Sequence, residues 1–216
     1  MIRTLFYKIS KPTIQDSFLS RSKVLLSYRK LSSDTTNCSV QRQNFHPECE
    51  SAINKQINME LYAGYVYLTM AAHFDRDDVA LPGFRKLFQA SHVEEIDHAM
   101  KLIDFQNMRG GRAAFFDIAR PKPNKWGDTK SIVLAALKLE MEVNQALLDL
   151  SNLATSHNDL NMSDFLDDFL MEQVKGQKAL ADLLKNVKRV DEGLGIYELD
   201  QRLLLHGMQY QGGGKE

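Results

Sequence analysis

The stretch Leu87-Phe88-Gln89-Ala90-Ser91-His92-Val93-Glu94-Glu95-Ile96-Asp97-His98-Ala99-Met100-Lys101-Leu102 decides how this chain folds. At helical spacing its apolar stripe starts at Phe84, passes Leu87/Phe88 and Ser91, and resumes at Leu102 and Phe105. Glu95 and His98 stand in the gap, on the face that should be buried. An unpaired carboxylate in an apolar core is very costly, so it needs a cation or must lose its charge. Glu-x-x-His sets both side chains one turn apart on one face, where they can grip a single metal ion. His92 and Glu94 fall off the stripe and are expected at the surface.

The same pattern of a polar break in an apolar stripe recurs along the chain. Pro47 opens a helix whose first turn carries Glu48 and Glu50, as the positive end of a helix favours. It runs to about Phe74 with the stripe Ile53, Gln56/Ile57, Glu60, Ala63/Gly64, Tyr67, Ala71, Phe74. Asp75-Arg76-Asp77-Asp78 breaks it. A second helix runs from about Leu81 to Asn107 and stops at Gly110-Gly111. A third runs from Asp128 or Thr129 to Ser156 with the stripe Val133, Ala136/Leu137, Glu140, Val143/Asn144, Leu147, Leu150. A fourth runs from about Met162 to Arg189 with Leu166, Phe169/Leu170, Gln173, Gly176/Gln177, Leu180, Leu184. Beyond Gly193 and Gly195 a short fifth helix is expected over Ile196 to Leu205, and residues 211–216 are expected to be a disordered tail.

No segment alternates with period two, so the domain is all-α. Each long helix spans roughly 40 Å at about 1.5 Å per residue, and such matched lengths suit a four-helix bundle. Residues 112–127, with Pro121, Pro123 and Gly127, form a long crossover between helices two and three. A link of that length lets the third helix run parallel to the second.

In a bundle the four interruptions can share one layer: Glu60, Glu95 with His98, Glu140, and Gln173. Three carboxylates and an imidazole in an apolar core would repel one another without cations. Hard divalent iron fits such a set, whereas zinc more often takes tetrahedral, thiol-containing sites. A symmetric di-iron bundle would show a second Glu-x-x-His. Here the fourth helix offers Glu172-Gln173 instead, which implies one firmly held iron and one exchangeable iron. That asymmetry suits oxidation followed by release better than oxygenase chemistry. Tyr67, two turns after Glu60, is either a hydrogen-bonding or redox neighbour of the site or a plain core tyrosine.

Composition narrows the remaining options. The chain has 216 residues, 44% hydrophobic content and a formal net charge of -1, which gives no indication of nucleic-acid binding. No apolar run approaches a membrane span. Cys38 and Cys49 are the two cysteines, too few for a disulfide framework. The first forty residues carry Arg3, Lys8, Lys11, Arg21, Lys23, Arg29 and Lys30 against Asp16 and Asp34, with many serines. This basic, serine-rich, acid-poor leader is the composition of a mitochondrial transit peptide, expected over residues 1–35, with a disordered cytosolic tail as the alternative.

Five stretches carry a family resemblance: Gln56-Ile57-Asn58-Met59-Glu60-Leu61-Tyr62-Ala63, Phe74-Asp75-Arg76-Asp77-Asp78-Val79-Ala80-Leu81, Glu94-Glu95-Ile96-Asp97-His98-Ala99, Gln106-Asn107-Met108-Arg109-Gly110-Gly111, and Glu172-Gln173-Val174. Together they resemble the heavy, ferroxidase-type ferritin subunit over about Val40 to Leu199, and the leader resembles that of a mitochondrial ferritin. The resemblance implies a ferritin-like domain over residues 36–210. It implies that Glu60, Glu95 and His98 hold a first iron, and that Glu95 bridges to a second iron bound also by Glu140. Gln173 would hydrogen-bond near the second iron, with Tyr67 beside the centre. Two Fe2+ per subunit would be oxidised transiently by O2, and Fe3+ passed to a mineral store inside a shell of twenty-four subunits, of one or several kinds. Glu94 and Asp97 would help move iron off the site, and Asp164 and Asp167 match acidic residues of the three-fold pores. Met100 stands where the family often carries an acid on the cavity wall, which implies weaker mineral nucleation. Glu198 and Arg202 stand where apolar or His residues often line the four-fold axis. The competing readings are a di-iron oxygenase or peroxidase on the same bundle, and a cage subunit that only nucleates mineral.

Overall fold

The computed structural model describes residues 39–122, 125–190 and 193–208. The expected leader over 1–35 and the expected tail over 211–216 lie outside the described residues. Among the described residues there are five helices: α1 (Pro47–Phe74), α2 (Pro82–Met108), α3 (Thr129–Ser156), α4 (Leu160–Arg189) and α5 (Leu194–His206).

Local chemistry sets each start. His46 caps α1 by accepting from Glu48 N, with Pro47 in the first turn and Glu48 and Glu50 at the positive end. Asp128 caps α3 through Ser131 N at 2.8 Å, and Asp159 caps α4 through Met162 N at 3.1 Å. The Asp159 cap explains why α4 begins at Leu160, two residues earlier than its apolar stripe implies. The start of α2 has no side-chain cap of its own. Asp200 of α5 supplies one from across the fold, accepting from Phe84 N at 2.9 Å. Gly83 makes this approach feasible, because a Cβ there would lie 1.9 Å from the Asp200 carbonyl oxygen.

The short turn after Phe74 makes α1 and α2 antiparallel neighbours. Helices α1 and α3 are also antiparallel: His157, at the end of α3, meets Glu48 at the start of α1, while Trp126, just before α3, donates to Thr69 near the end of α1 at 3.2 Å. Helix α3 therefore runs parallel to α2, as the long crossover requires. The crossover travels the length of α1, and three side chains at four-residue intervals hold it there. Glu50 accepts from Arg112 N at 2.8 Å, Asn54 accepts from Ala114 N at 2.8 Å, and Asn58 donates to the carbonyls of Phe116 and Asp117.

Apolar side chains pack on either side of a polar layer, with Asn54, Gln106, Asp159 and Asp200 buried besides. Phe74 stacks on Phe84 and Phe88 with centroids 5.1 and 5.6 Å apart, towards one end of the bundle. Phe105 stacks on Phe165 at 4.0 Å towards the other. Cys49 is a buried free thiol. No described helix is long and apolar enough to cross a membrane.

Candidate metal centre

The polar layer unites the four interruptions. Glu60, Glu95, His98, Glu140 and Gln173 are all buried, and Glu60 is fully so. One ligand atom from each of Glu60, Glu95 and His98 lies within 4.8 Å of the other two. Helices α1 and α2 come close because Gly64 faces Glu95 and Ile96. A Cβ at Gly64 would stand 3.2 Å from Ile96 Cδ1 and 3.4 Å from Glu95 Cβ. His92 fastens the same point from α2, its Nδ1 2.8 Å from the Gly64 carbonyl. His92 is thus half-buried and structural, not the surface residue its position off the stripe suggested.

Hydrogen bonds orient the rest. Gln56 Nε2 donates to Glu60 Oε1 at 2.7 Å. Tyr67 donates its hydroxyl to Glu140 Oε1, and Gln173 Nε2 donates to Glu140 Oε2 at 2.8 Å. Tyr67 is both buried in the core and hydrogen-bonded to Glu140. Gln177 lies 3.4 Å from both Gln173 Oε1 and the Glu140 carbonyl, a turn behind.

Two carboxylate oxygens remain without a hydrogen-bond partner, Glu60 Oε2 and Glu95 Oε2. Glu95 Oε2 lies 3.5 Å from His98 Nδ1, near but unbonded. Buried acceptors left in this way are costly, and a cation would satisfy both at once. Electrostatics agree. Burial, then the Glu95 charge, holds the Glu60 carboxyl well above the usual carboxylate range, and the Gln56 bond only partly offsets them. Burial, then the charge of Glu140, pushes Glu95 up to about 8. Burial and the same Glu140 carboxylate hold the Tyr67 phenol well above its ordinary value. The layer must keep protons or take positive ions, and its all-oxygen-and-imidazole donor set suits a hard or borderline divalent cation.

A cavity of about 60 Å³ opens beside the layer, lined by Glu94, Glu95, His98, Glu140, Glu172 and Gln173 among others. A ferritin-like domain family model matches residues 50–190. The chain belongs to the ferritin family. It is 54% identical over 167 residues to soma ferritin of Lymnaea stagnalis, a match covering 77% of this chain and 96% of that protein. It is 51% identical over 170 residues to the ferritin heavy chain of Echinococcus granulosus, covering 78% and 98%. Against the ferritin middle subunit of Aquarana catesbeiana it is 47% identical over 164 residues, covering 74% and 93%.

Within this ferritin fold the remaining expected residues lie apart from the buried layer. Glu94 is exposed and lines the small cavity. Asp97 is exposed and lines an outer depression of about 670 Å³, together with Glu94, His98, Lys101 and Glu172. Asp164 and Asp167 are exposed one turn apart in the first two turns of α4. Met100, Glu198 and Arg202 are exposed.

Glu172, the neighbour of Gln173, also reaches His98. Its Oε2 lies 3.0 Å from His98 Nε2, although about half of the side chain is exposed. An exposed position beside a buried one carries no periodicity signal, so only the packing of α4 on α2 reveals it. Gln56 belongs to the apolar stripe of α1, and only the structure shows it as the partner of Glu60. The i, i+4 spacing of the two residues was the available clue.

Proposed function

We propose that this chain is an iron-storage subunit that oxidises Fe2+ with O2 at the buried layer and delivers Fe3+ for deposition in a multi-subunit shell. The observation that carries the reading is the pair of unsatisfied buried oxygens, Glu60 Oε2 and Glu95 Oε2, grouped with His98 inside an apolar bundle. A first Fe2+ is bound as substrate by Glu60, Glu95 and His98. A second is bound by Glu140, with Glu95 shared between them. Each Fe2+ gives one electron to the same O2, which takes up two protons and leaves as hydrogen peroxide.

The chain's own residues divide the work. Glu60 is oriented by Gln56 and Glu140 by Tyr67 and Gln173, so both carboxylates are preorganised before iron arrives. The second position has only Glu140 and the shared Glu95 as carboxylate ligands, because a neutral amide stands where a further Glu-x-x-His would be. Weaker binding there favours release of the ferric product. Glu94 and Glu172, exposed residues that line the cavity, offer the next carboxylates outward. The same asymmetry argues against an oxygenase, which must retain both irons through turnover.

Twenty-four such subunits would close the shell, alone or mixed with other ferritin subunits. Asp164 and Asp167 would draw Fe2+ through its three-fold pores. The basic leader over residues 1–35 would direct the chain to the mitochondrial matrix, with the cytoplasm as the alternative compartment.

Aerobic addition of Fe2+ to the purified protein, with native mass measured in parallel, tests the core of the reading. Rapid ferric absorbance from a large assembly is expected. A monomeric or dimeric species without oxidation would refute it. A reporter fused to residues 1–40 should accumulate in mitochondria, and a diffuse cytosolic signal would refute the targeting.

A further inference from the structure

A second group of metal-ligating side chains lies at the opposite end of α1 from its turn into α2. His46, Glu48 and His157 each offer a ligand atom within 4.8 Å of the other two. The two imidazoles stack with centroids 3.7 Å apart and planes 14° apart. His157 Nε2 is 2.9 Å from Glu48 Oε2, and His46 Nδ1 is 3.9 Å from the same oxygen. From bonds of about 2.1 Å, a tetrahedral zinc ion would want its donor atoms roughly 3.4 Å apart. The observed spacings bracket that value.

We propose that His46, Glu48 and His157 form a separate surface site for a borderline divalent ion such as Zn2+, with water completing the coordination. Two imidazoles and one carboxylate favour zinc-like ions over the harder ions suited to the carboxylate-rich buried layer. The backbone frame is already in place. His46 is the N-cap of α1 and His157 is the C-cap of α3, so neither main chain has freedom to drift. Arg109 ties the two segments together: its guanidinium donates to the carbonyls of Gln43 and Asn44 and, at 2.8 and 3.0 Å, to both oxygens of Asp159. Asn44 adds a bond to the Asn158 carbonyl at 3.0 Å. Asn44 and Asn158 both adopt positive φ, at 46° and 53°, so the two tight bends that present the histidines are specified by residues that tolerate them. Only side chains need to turn for the stacked rings to converge on an ion, those of His46 and Glu48 exposed and that of His157 partly so. His46 Nδ1 then gives up its bond from Glu48 N for the metal. The ion would pin the start of α1 to the end of α3.

Calorimetric titration of the assembled full-length protein with Zn2+ tests this. His98 and the carboxylates of the buried layer are also zinc-type donors, so the comparison is between parent and variants. His46→Asn keeps a capping side chain but removes the imidazole, and His157→Gln removes the other. Each variant should bind one Zn2+ fewer per subunit, the double variant should lose no more than one, and iron oxidation by zinc-free protein should be unchanged. Equal zinc stoichiometry and affinity in parent and variants would overturn the proposal. Should His157→Gln not assemble, His46→Asn alone decides it, together with anomalous scattering at the zinc edge from crystals of the parent soaked in Zn2+. A peak between His46 and His157 is expected there, and its absence would overturn the site.

Discussion

At the scale of single residues, Glu95 is the point on which the centre turns. It lies beside Glu60 and His98 and feels the charge of Glu140. Replacing Glu95 or His98 by Ala should slow the fast phase of Fe2+ oxidation by on the order of a hundredfold. That figure is the upper end of what supporting partners alone cost a metal site. Stopped-flow absorbance checks this, and unchanged rates in both variants would disprove the assignment. Titration gives a second handle. The Glu95 carboxyl is raised to about 8, so at neutral pH the metal-free protein holds a proton there that a cation must displace. Anaerobic metal binding should therefore release protons at pH 7, and apparent affinity should rise with pH up to about 8. The sign for stability is the reverse. The folded state binds more protons than the unfolded chain between about 4.5 and 8, so the stability of the metal-free protein falls as pH rises through that window. Glu95→Gln should flatten both the proton release and the loss of thermal stability, as potentiometry and melting at several pH values would reveal. Glu95 and His98 were legible in the sequence because each breaks an apolar stripe. Glu172 was not, because a half-exposed acid on a helix looks like any solvated residue until α4 is packed beside His98.

At the scale of elements, two long-range clasps hold helices that propensity alone would leave loose. Arg109, at the end of α2, meets the almost fully buried Asp159, which also caps α4. Asp159→Ala removes the cap and leaves a guanidinium without its partner, so it should cost about 3–5 kcal/mol, read as a lowered thermal midpoint. At the other end Asp200 of α5 caps α2. Gly83→Ala places a Cβ 1.9 Å from the Asp200 carbonyl oxygen, which must move. That substitution should free α5 while the four long helices persist, and amide exchange over residues 194–206 should rise far more than exchange within α1 to α4. If α5 stays protected, the clasp is not what docks it. The helices themselves were evident from stripe, Pro and Gly signals, with ends shifted by a residue or two. The start of α4 moved to Leu160 and the end of α2 to Met108 because caps and final-turn hydrogen bonds, not apolar periodicity, set helix ends. The Asp200 clasp spans 116 residues of sequence, and no local pattern could announce it.

At the scale of the whole molecule, the crossover between α2 and α3 determines the direction in which α3 runs. It lies along α1 through Glu50, Asn54 and Asn58, so α3 starts at the same end of the bundle as α2 and runs parallel to it. Asn54 both donates to the Arg112 carbonyl and accepts from Ala114 N. Asn54→Ala should therefore cost about 2 kcal/mol and increase protease cleavage in residues 112–122. Uptake should separate from chemistry at this scale too. Exchanging Asp164 and Asp167 together for Asn should slow iron loading of the assembled protein at low Fe2+. It should leave oxidation at saturating Fe2+ nearly unchanged, because neither residue touches the buried layer. An equal loss under both conditions would place them at the centre instead.

The sequence by itself determined the class of the fold, the approximate extent of each long helix and the identities of five buried polar residues. It could do so because helical periodicity is a local property, and a polar residue on an apolar stripe violates it visibly. It also carried the ferritin resemblance that the family match then established. Only the tertiary structure decided how those residues meet: that Tyr67 and Gln173 both serve Glu140, that Glu60 and Glu95 keep bare oxygens towards His98, and that His46 comes to lie on His157. Those relations depend on distances between helices far apart in the chain. They are set by packing at Gly64 and Gly83, by the crossover's length and by clasps such as Arg109–Asp159, none of which leaves a periodic mark on the residues it joins.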